Sequence, residues 1–374
     1  MARLMVGVAK ETAPGERRVA LVPAAVGAVS ALGVDVAVQA GAGAAAGFTD
    51  AAYAEAGVAV LTRSRLFGLA DLLVGVQAPR LRVDCRLRRG QALMGLLQPL
   101  RSPLTIRNWA VQGITSISLD LMPSALIHGE LLDAAASQER ITGYEAVLVA
   151  AHHCGRCLPA TVGEEGTGPV RVLVVGGGAT GLQAMATAHG LGARVEVYDA
   201  SRRAIDEVLC AGAEYLDLSA AGFPAAVRLA LTAVIPRFDI VIATPWEPPG
   251  AEPDGLITAE AVRAMRPGSV VVDTTVEPGI GTVELAVPDT TVTAGPGILV
   301  IGAGNLPSRV AATASAAFAH RIAALLAHLI HDGALAIELT DPLQAAIVVT
   351  HRGNVLNDAV WQQILDVTAP AGLP

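Results

Sequence analysis

Aromatic residues are scarce: five Phe, four Tyr and three Trp make up 3% of the 374 residues. A β-sandwich of this length carries more aromatic and Thr-rich alternation in its strands, so the composition points away from that class. Lysine is scarcer still. Lys10 is the only one, and the formal net charge is -8. With no basic stripe to set against it, that charge argues against a phosphate-backbone partner, and no nucleic-acid role is expected. The short stretch Asp84–Arg89 reads as a solvated turn between two strands.

Long apolar runs are missing as well. A long uncharged stretch, Thr290–Ser308, is interrupted by Gly295, Pro296, Gly297, Gly302, Gly304 and Pro307, which no lipid-embedded helix tolerates together, so no membrane span is expected. The N-terminus MARLMVGVAKE lacks the apolar core and cleavage site of a secretory leader, and it reads as a first strand in a cytoplasmic protein. The four cysteines, Cys85, Cys154, Cys157 and Cys210, form no disulfide framework. His152, His153, Cys154 and Cys157 suggest a metal site at first sight. On a helix, however, His153 and Cys157 share one face while His152 and Cys154 point elsewhere, and no second cluster completes four ligands. A structural role and no metal are expected there.

What is abundant is small and apolar. Hydrophobic residues are 52% of the chain, Ala, Gly and Val carrying much of that share, which suits close packing of helices on sheets. Apolar runs at Leu4–Ala9, Asp35–Gln39, Leu72–Gln77, Ala92–Leu97 and Thr115–Leu119 predict strands, with helices over Pro23–Ala31 and Asp50–Ala56. Strands alternating with helices imply a parallel sheet covered on both faces. A long helical run from about Ala134 to Leu158 follows, ended by Pro159, and a second alternating block extends from Val170 to about Asn305. Ser308–His331 is again helical, with Val310, Ala314, Phe318, Ile322, Leu325 and Leu329 at helical spacing. In Ala336–Asn357 two apolar runs flank Arg352-Gly353, a hairpin signal. The expected fold is α/β: two Rossmann-like, doubly wound parallel-sheet domains linked by two long helices. One domain comprises residues 1–135 plus 309–374, and the other, residues 136–308, binds the dinucleotide.

The sharpest local signal is Val170–Val175 running into Gly176-Gly-Gly-Ala-Thr-Gly181 and a helix. In a Gly-x-Gly-x-x-Gly turn the first glycine permits the tight turn, the second lets the backbone approach a pyrophosphate, and the third allows helix and strand to pack closely. The phosphates then meet backbone N–H groups at the helix N-terminus. The next strand ends in Asp199, 18 residues past Gly181, where a carboxylate accepts from the ribose hydroxyls of NAD and repels a 2′-phosphate. Arg202 and Arg203 lie close enough in sequence to accommodate that phosphate instead.

Several segments together resemble a known family. Val6–Pro23, Gly41–Gly57, Gly143–Arg156, Val170–Ala184, Gly212–Leu218, Met265–Asp273 and Ile298–Ser315 look like the NAD(H)-binding alpha-subunit component of proton-translocating NAD(P) transhydrogenase, related to alanine dehydrogenase. Asn305–Arg309 (NLPSR) and VVTHRGNV favour the transhydrogenase branch. The resemblance implies NAD as cofactor, with Gly176, Gly178, Ala179, Thr180, Gly181, Asp199 and Thr244 contacting it. It places a mobile loop at Thr244–Gly255. It also implies a homodimer, to which the apolar C-terminal hairpin would contribute, with NADP-binding and membrane subunits on separate chains.

A loop that grips the nicotinamide with Arg, Gln and Asp in the family aligns with Met122–Gln138. Asp133 keeps the Asp, Glu130 replaces the Gln, Ser124 or Ala125 replaces the Arg, and Ala136 replaces a Ser. Glu130 and Asp133 are the candidate catalytic residues, with His128 nearby. The Lys and His that alanine dehydrogenase uses on its keto acid align with Gln77 and Gln98, neither a general acid. Arg18 aligns with the Arg that pairs the substrate carboxylate, which transhydrogenases carry too and which therefore does not discriminate, and Glu277 with a catalytic Asp. The expected function is hydride transfer between NADH and NADP+ on a partner subunit. The alternative is a stand-alone NAD-dependent oxidoreductase on an amino- or keto-acid-like substrate, or a redox-silent NAD-binding protein.

Overall fold

The computed structural model describes residues 3–80, 86–123, 132–160, 168–210, 212–218, 224–245, 255–277 and 281–368. The chain divides into two compact units, Met1–Gln138 with Ser308–Pro374, and Glu139–Pro307.

The first unit opens with β1 (Met5–Val8), β2 (Asp35–Gln39), β3 (Ala59–Leu61), β4 (Leu72–Gln77), β5 (Ala92–Leu96) and β6 (Thr115–Ser118). All six run parallel, β1 lying between β2 and β4. Their short runs are apolar on successive residues, as strands covered on both faces must be. Between Val74 and Gln77 the register of β4 against β5 shifts, an irregularity at the carboxyl edge of the sheet.

The second unit contains β7 (Arg171–Val175), β8 (Arg194–Tyr198), β9 (Glu214–Tyr215), β10 (Ile240–Ala243), β11 (Val270–Asp273), β12 (Thr291–Ala294) and β13 (Ile298–Gly302), in the order β12-β13-β11-β10-β7-β8-β9. Only β12 is antiparallel. From β7 the chain winds outward through β8 and β9, then returns to the other side of β7 at β10. The topological switch point therefore falls between β7 and β10, where ligands of such sheets bind beyond the carboxyl ends.

The chain returns to the first unit through helix Ala311–Leu329, then β14 (Ile330–His331), β15 (Ala334–Leu335), β16 (Val348–His351) and β17 (Asn354–Val355). The last two complete an eight-stranded sheet, β17-β16-β6-β5-β4-β1-β2-β3, by antiparallel pairing of β16 on β6. The β16–β17 turn is Arg352-Gly353, with φ of 48° and 87°, both positive as a two-residue hairpin turn requires. A second such turn, Asp332-Gly333, joins β14 to β15.

Two expectations need correction. The long helix ends at His153, not Leu158, because the chain after Cys154 is held elsewhere: the Gly155 N–H donates to Gly268 O at 3.1 Å. And one run, Leu306–Leu329, is long and apolar enough to cross a membrane by length and composition. Here Phe318, Ala319, Ile322, Leu325, Leu326 and Leu329 are fully buried in the core of the first unit, so the run is accounted for as a core helix.

Candidate functional site

The Gly-rich turn leaves β7 at the switch point. Gly176 has φ of 106°, and a Cβ there would lie 2.3 Å from Thr244 Oγ1. A Cβ on Gly181 would lie 1.8 Å from Gly176 O, so the first turn of helix Ala179–Gly190 rests directly on the backbone of the strand exit. Gly178 is different. It is exposed, it forms the N-cap of that helix, and a Cβ there meets nothing within 4 Å. The two outer glycines are thus needed by the protein itself, while Gly178 leaves an open backbone at the positive end of a helix.

Asp199 closes the turn from the end of β8. Its Oδ2 accepts from Gly177 N–H at 2.6 Å and its Oδ1 from Ser201 N–H at 2.7 Å. Thr244, fully buried, donates from Oγ1 to the carbonyls of Val175 and Gly176, both at 3.1 Å. It braces the turn from beneath. Thr180 is buried on the first turn of the helix, and Ala179 is half-buried beside it. Arg203 forms an exposed pair with Glu207 one helical turn on, at 2.9 Å.

One close contact leaves no sign in the sequence. A Cβ on Gly143 would lie 2.1 Å from Thr180 O, so helix Ala134–His153 crosses the phosphate-turn helix at backbone distance.

The carboxyl edge of the first sheet holds a polar cluster, of which the sequence points only to Arg18 and Gln77. Arg18 clasps Glu16 with Nε at 2.8 Å and Nη2 at 2.6 Å, and its Nη1 donates to Gln138 Oε1 at 2.8 Å. The Glu16 carboxylate, wholly buried, also accepts from Gln77 Nε2 at 3.0 Å and Ser308 Oγ at 2.7 Å. Burial pushes the Glu16 carboxyl upward, but the bonds and charge of Arg18, with Ser308, outweigh it and hold the group at about 2. Glu11 takes the opposite course. Its Oε1 accepts Val76 N–H at 2.6 Å, an amide inside the irregular stretch of β4, and burial with the nearby Glu16 charge lifts it to about 7.

Glu11 makes the stability of the first unit depend on pH in a definite direction. Its folded value lies above the ordinary 4.5, so its contribution is whole below pH 4.5 and is lost as pH rises to about 7. The loss amounts to about 3 kcal/mol. Glu11→Gln should remove this slope, so that urea unfolding at pH 5 and pH 8 gives free energies closer together than in the wild type. An unchanged slope in the variant would show that another group titrates.

The candidate catalytic residues fare unequally. Glu130 lies outside the described residues, as do Ser124, Ala125 and His128. Asp133 precedes helix Ala134–His153, where its Oδ1 accepts Ala136 N–H at 2.8 Å and its carbonyl accepts from Arg321 Nε at 2.9 Å. That is the geometry of a helix cap. Most of the loop Thr244–Gly255 is outside the described residues too. Gln98 is exposed with φ of 48°, its N–H held by Asp120 Oδ2 at 2.7 Å. Among the described residues no three His, Cys, Asp or Glu gather as a metal site.

Comparisons with known proteins agree over nearly the whole chain. The family described as "Alanine dehydrogenase/PNT, N-terminal domain" matches residues 7–141, and its C-terminal counterpart matches residues 146–358. The chain is 34% identical to the NAD(P) transhydrogenase subunit alpha of Cereibacter sphaeroides, across 94% of this chain and 71% of that one. It is 30% identical to the alanine dehydrogenase of Mycobacterium tuberculosis, across 99% and 100%. A solved transhydrogenase structure from Sinorhizobium meliloti superposes with a TM-score of 0.84 at 33% identity, covering 94% of this chain and 99% of that one.

Proposed function

The chain belongs to the alanine dehydrogenase/PNT family, and from that premise we propose that it is the NAD(H)-binding subunit of an NAD(P) transhydrogenase, in the cytoplasm and as a homodimer. It passes hydride between NADH and NADP+ held by a partner subunit, with a membrane subunit on another chain.

The observation that carries the nucleotide reading is the open Gly178 between two sterically locked glycines. A dinucleotide fits what this turn offers. Gly178, Ala179 and Thr180 present backbone N–H groups to a pyrophosphate, Asp199 accepts from the adenosine ribose, and Thr244 and Gly181 keep the turn in shape. The chemistry that NADH brings when bound is hydride donation from its nicotinamide. The residues that would orient that ring are Asp133 and Glu130, the latter standing where the family has Gln.

Arg18 weighs against a keto-acid enzyme. All three guanidinium nitrogens already donate to Glu16 and Gln138, so a substrate carboxylate would have to compete with the buried Glu16 for this group. Gln77, whose Nε2 donates to Glu16, cannot act as a general acid.

Cofactor choice gives a direct test. NADH should bind at least ten times more tightly than NADPH in a calorimetric titration, and Asp199→Ala should weaken NADH by about 1–2 kcal/mol through the lost charged hydrogen bond. Equal affinities in the wild type would remove the role given to Asp199.

The hydride step is tested by mixing the chain with an NADP-binding transhydrogenase subunit. Positioning supplies much of such a rate, and the loop at Met122–Gln138 departs from the family pattern. Ser124→Arg or Ala125→Arg combined with Glu130→Gln should therefore raise the rate at least tenfold, about 1.4 kcal/mol of barrier. No turnover in either form would leave a redox-silent NAD-binding protein.

A further inference from the structure

Helix Ala134–His153 is followed by Cys154-Gly155-Arg156-Cys157, a pair of thiols two residues apart that the nucleotide site does not use. Both are free. Cys154 is half-buried at the edge of the second unit's core, and Cys157 is exposed. We propose that Cys154 and Cys157 are a redox-active dithiol, which closes to a disulfide by exchange with a low-molecular-weight disulfide such as glutathione disulfide.

The loop is built to hold the two cysteines in place. Its chain bends at Gly155 and Arg156, the two residues between them. Each of those residues is tied down separately. Gly155 donates its N–H to Gly268 O at 3.1 Å, and a Cβ on Gly155 would lie 3.5 Å from the Gly268 Cα, so the two backbones run side by side. Arg156 donates from Nη1 to Asp239 Oδ1 at 2.8 Å and from Nη2 to Gly168 O at 3.0 Å. Asp239 is buried, and its other oxygen accepts the N–H of Arg171, the first residue of β7, at 3.0 Å. A CxxC pair on a pinned turn loses little ordering entropy on reaching disulfide geometry, which needs Cα atoms only about 4.4–6.8 Å apart.

The two thiols have different surroundings. Cys154 sits at the carbonyl end of a helix, its N–H bonded to Ala150 O at 2.9 Å, a place where negative charge is disfavoured. Burial and the Asp239 charge push its thiol upward, against Arg156. Cys157 is in solvent, next in sequence to Arg156, and is the accessible nucleophile. The exchange runs in two displacements. The Cys157 thiol gives its proton to water and attacks one sulfur of glutathione disulfide; a protein–glutathione bond forms, the small S–S bond breaks, and one glutathione leaves as thiolate. The Cys154 thiol then loses its proton and attacks Cys157 Sγ, and the second glutathione leaves. Two protein thiols are oxidised by two electrons, and one glutathione disulfide is reduced to two glutathiones.

The full chain is incubated with glutathione and its disulfide over a range of ratios, quenched with acid, alkylated and weighed intact, then digested with trypsin. Because trypsin cuts after Arg156, a closed disulfide leaves two peptides joined through sulfur. In a Cys85→Ser, Cys210→Ser background, which keeps the exposed Cys210 from taking up glutathione, the chain should lose two hydrogen masses, retain no glutathione and give that joined pair. Cys154→Ser should stop at one glutathione on residue 157, and Cys157→Ser should react at least tenfold more slowly. Arg156→Ala, which unpins the loop, should slow closure several-fold relative to the initial attack. Wild-type protein that keeps glutathione on Cys157, or in which both cysteines stay alkylatable at every ratio, overturns the proposal.

Discussion

Gly178→Val is expected to lower NADH affinity at least a hundredfold while the protein keeps its fold. The substitution is sterically harmless to the protein itself. The residue is exposed, its φ of -70° is one any residue adopts, and no heavy atom lies within 4 Å of a Cβ there. A branched side chain would stand over the amides that a pyrophosphate needs, and a hundredfold corresponds to about 2.7 kcal/mol. Gly181→Val should behave in the opposite manner. Its Cβ would fall 1.8 Å from Gly176 O, so the strand and helix cannot both keep their places and the second unit should not fold. Calorimetric titration paired with thermal unfolding separates the two. An unchanged NADH dissociation constant in folded Gly178→Val would mean that phosphates are held elsewhere.

Arg18→Ala is expected to destabilise the first unit by about 3–5 kcal/mol, since it leaves a carboxylate buried without its charge partner. In the wild type the Glu16 side chain is wholly covered. The pH dependence should reverse as well. In the wild type Glu16 is held at about 2, below the ordinary 4.5, so its contribution is whole above pH 4.5 and is lost as pH falls toward 2. Without Arg18 the same carboxyl is raised by burial, and stability should increase as pH falls from 7. Adding Glu16→Gln to Arg18→Ala should recover part of the loss and abolish the reversed pH dependence, because a neutral amide buries no charge and its oxygen still accepts from Gln77 and Ser308. Urea unfolding at pH 4 and pH 7 measures all three forms. A change below about 0.5 kcal/mol in Arg18→Ala would show the pair to be dispensable.

The features of this molecule legible in the sequence are those governed by neighbours along the chain. The Gly-rich turn, the strand before it and Asp199 follow one another within a single strand–helix–strand unit, and local sterics dictate the glycines. Arg352-Gly353 announces its hairpin for the same reason, whereas the equivalent Asp332-Gly333 turn joins strands too short to show as apolar runs. What stays hidden joins residues far apart. Arg18 meets Gln138, and Glu16 meets Ser308, 292 positions away, so no window of sequence contains the cluster. Gly143 looks like a weakness in a helix until its approach to Thr180 is seen. The patterning does not predict the helix Pro103–Gln112 or the strand Ala59–Leu61 either, the first because its mixed polarity carries a weak periodicity and the second because it is only three residues long. The sequence puts the division of the chain at 135/136 and 308/309, whereas the two compact units meet at 138/139 and 307/308, the first of these inside a helix that gives no compositional sign of a border.

The interrupted layout of the first unit sets an order of assembly during synthesis. The second unit is a single uninterrupted stretch, Glu139–Pro307, and has all its strands as soon as that stretch clears the ribosome. The first unit is translated earlier but must be completed later. Its nascent strands β1 to β6 wait for Phe318, Ile322, Leu325 and Leu329 to cover them and for β16 to pair with β6. Until then the apolar strand segments of the first unit lack both that cover and the β16 partner of β6. The segment made first is therefore the one that matures last, and it is the stretch with most need of chaperone protection.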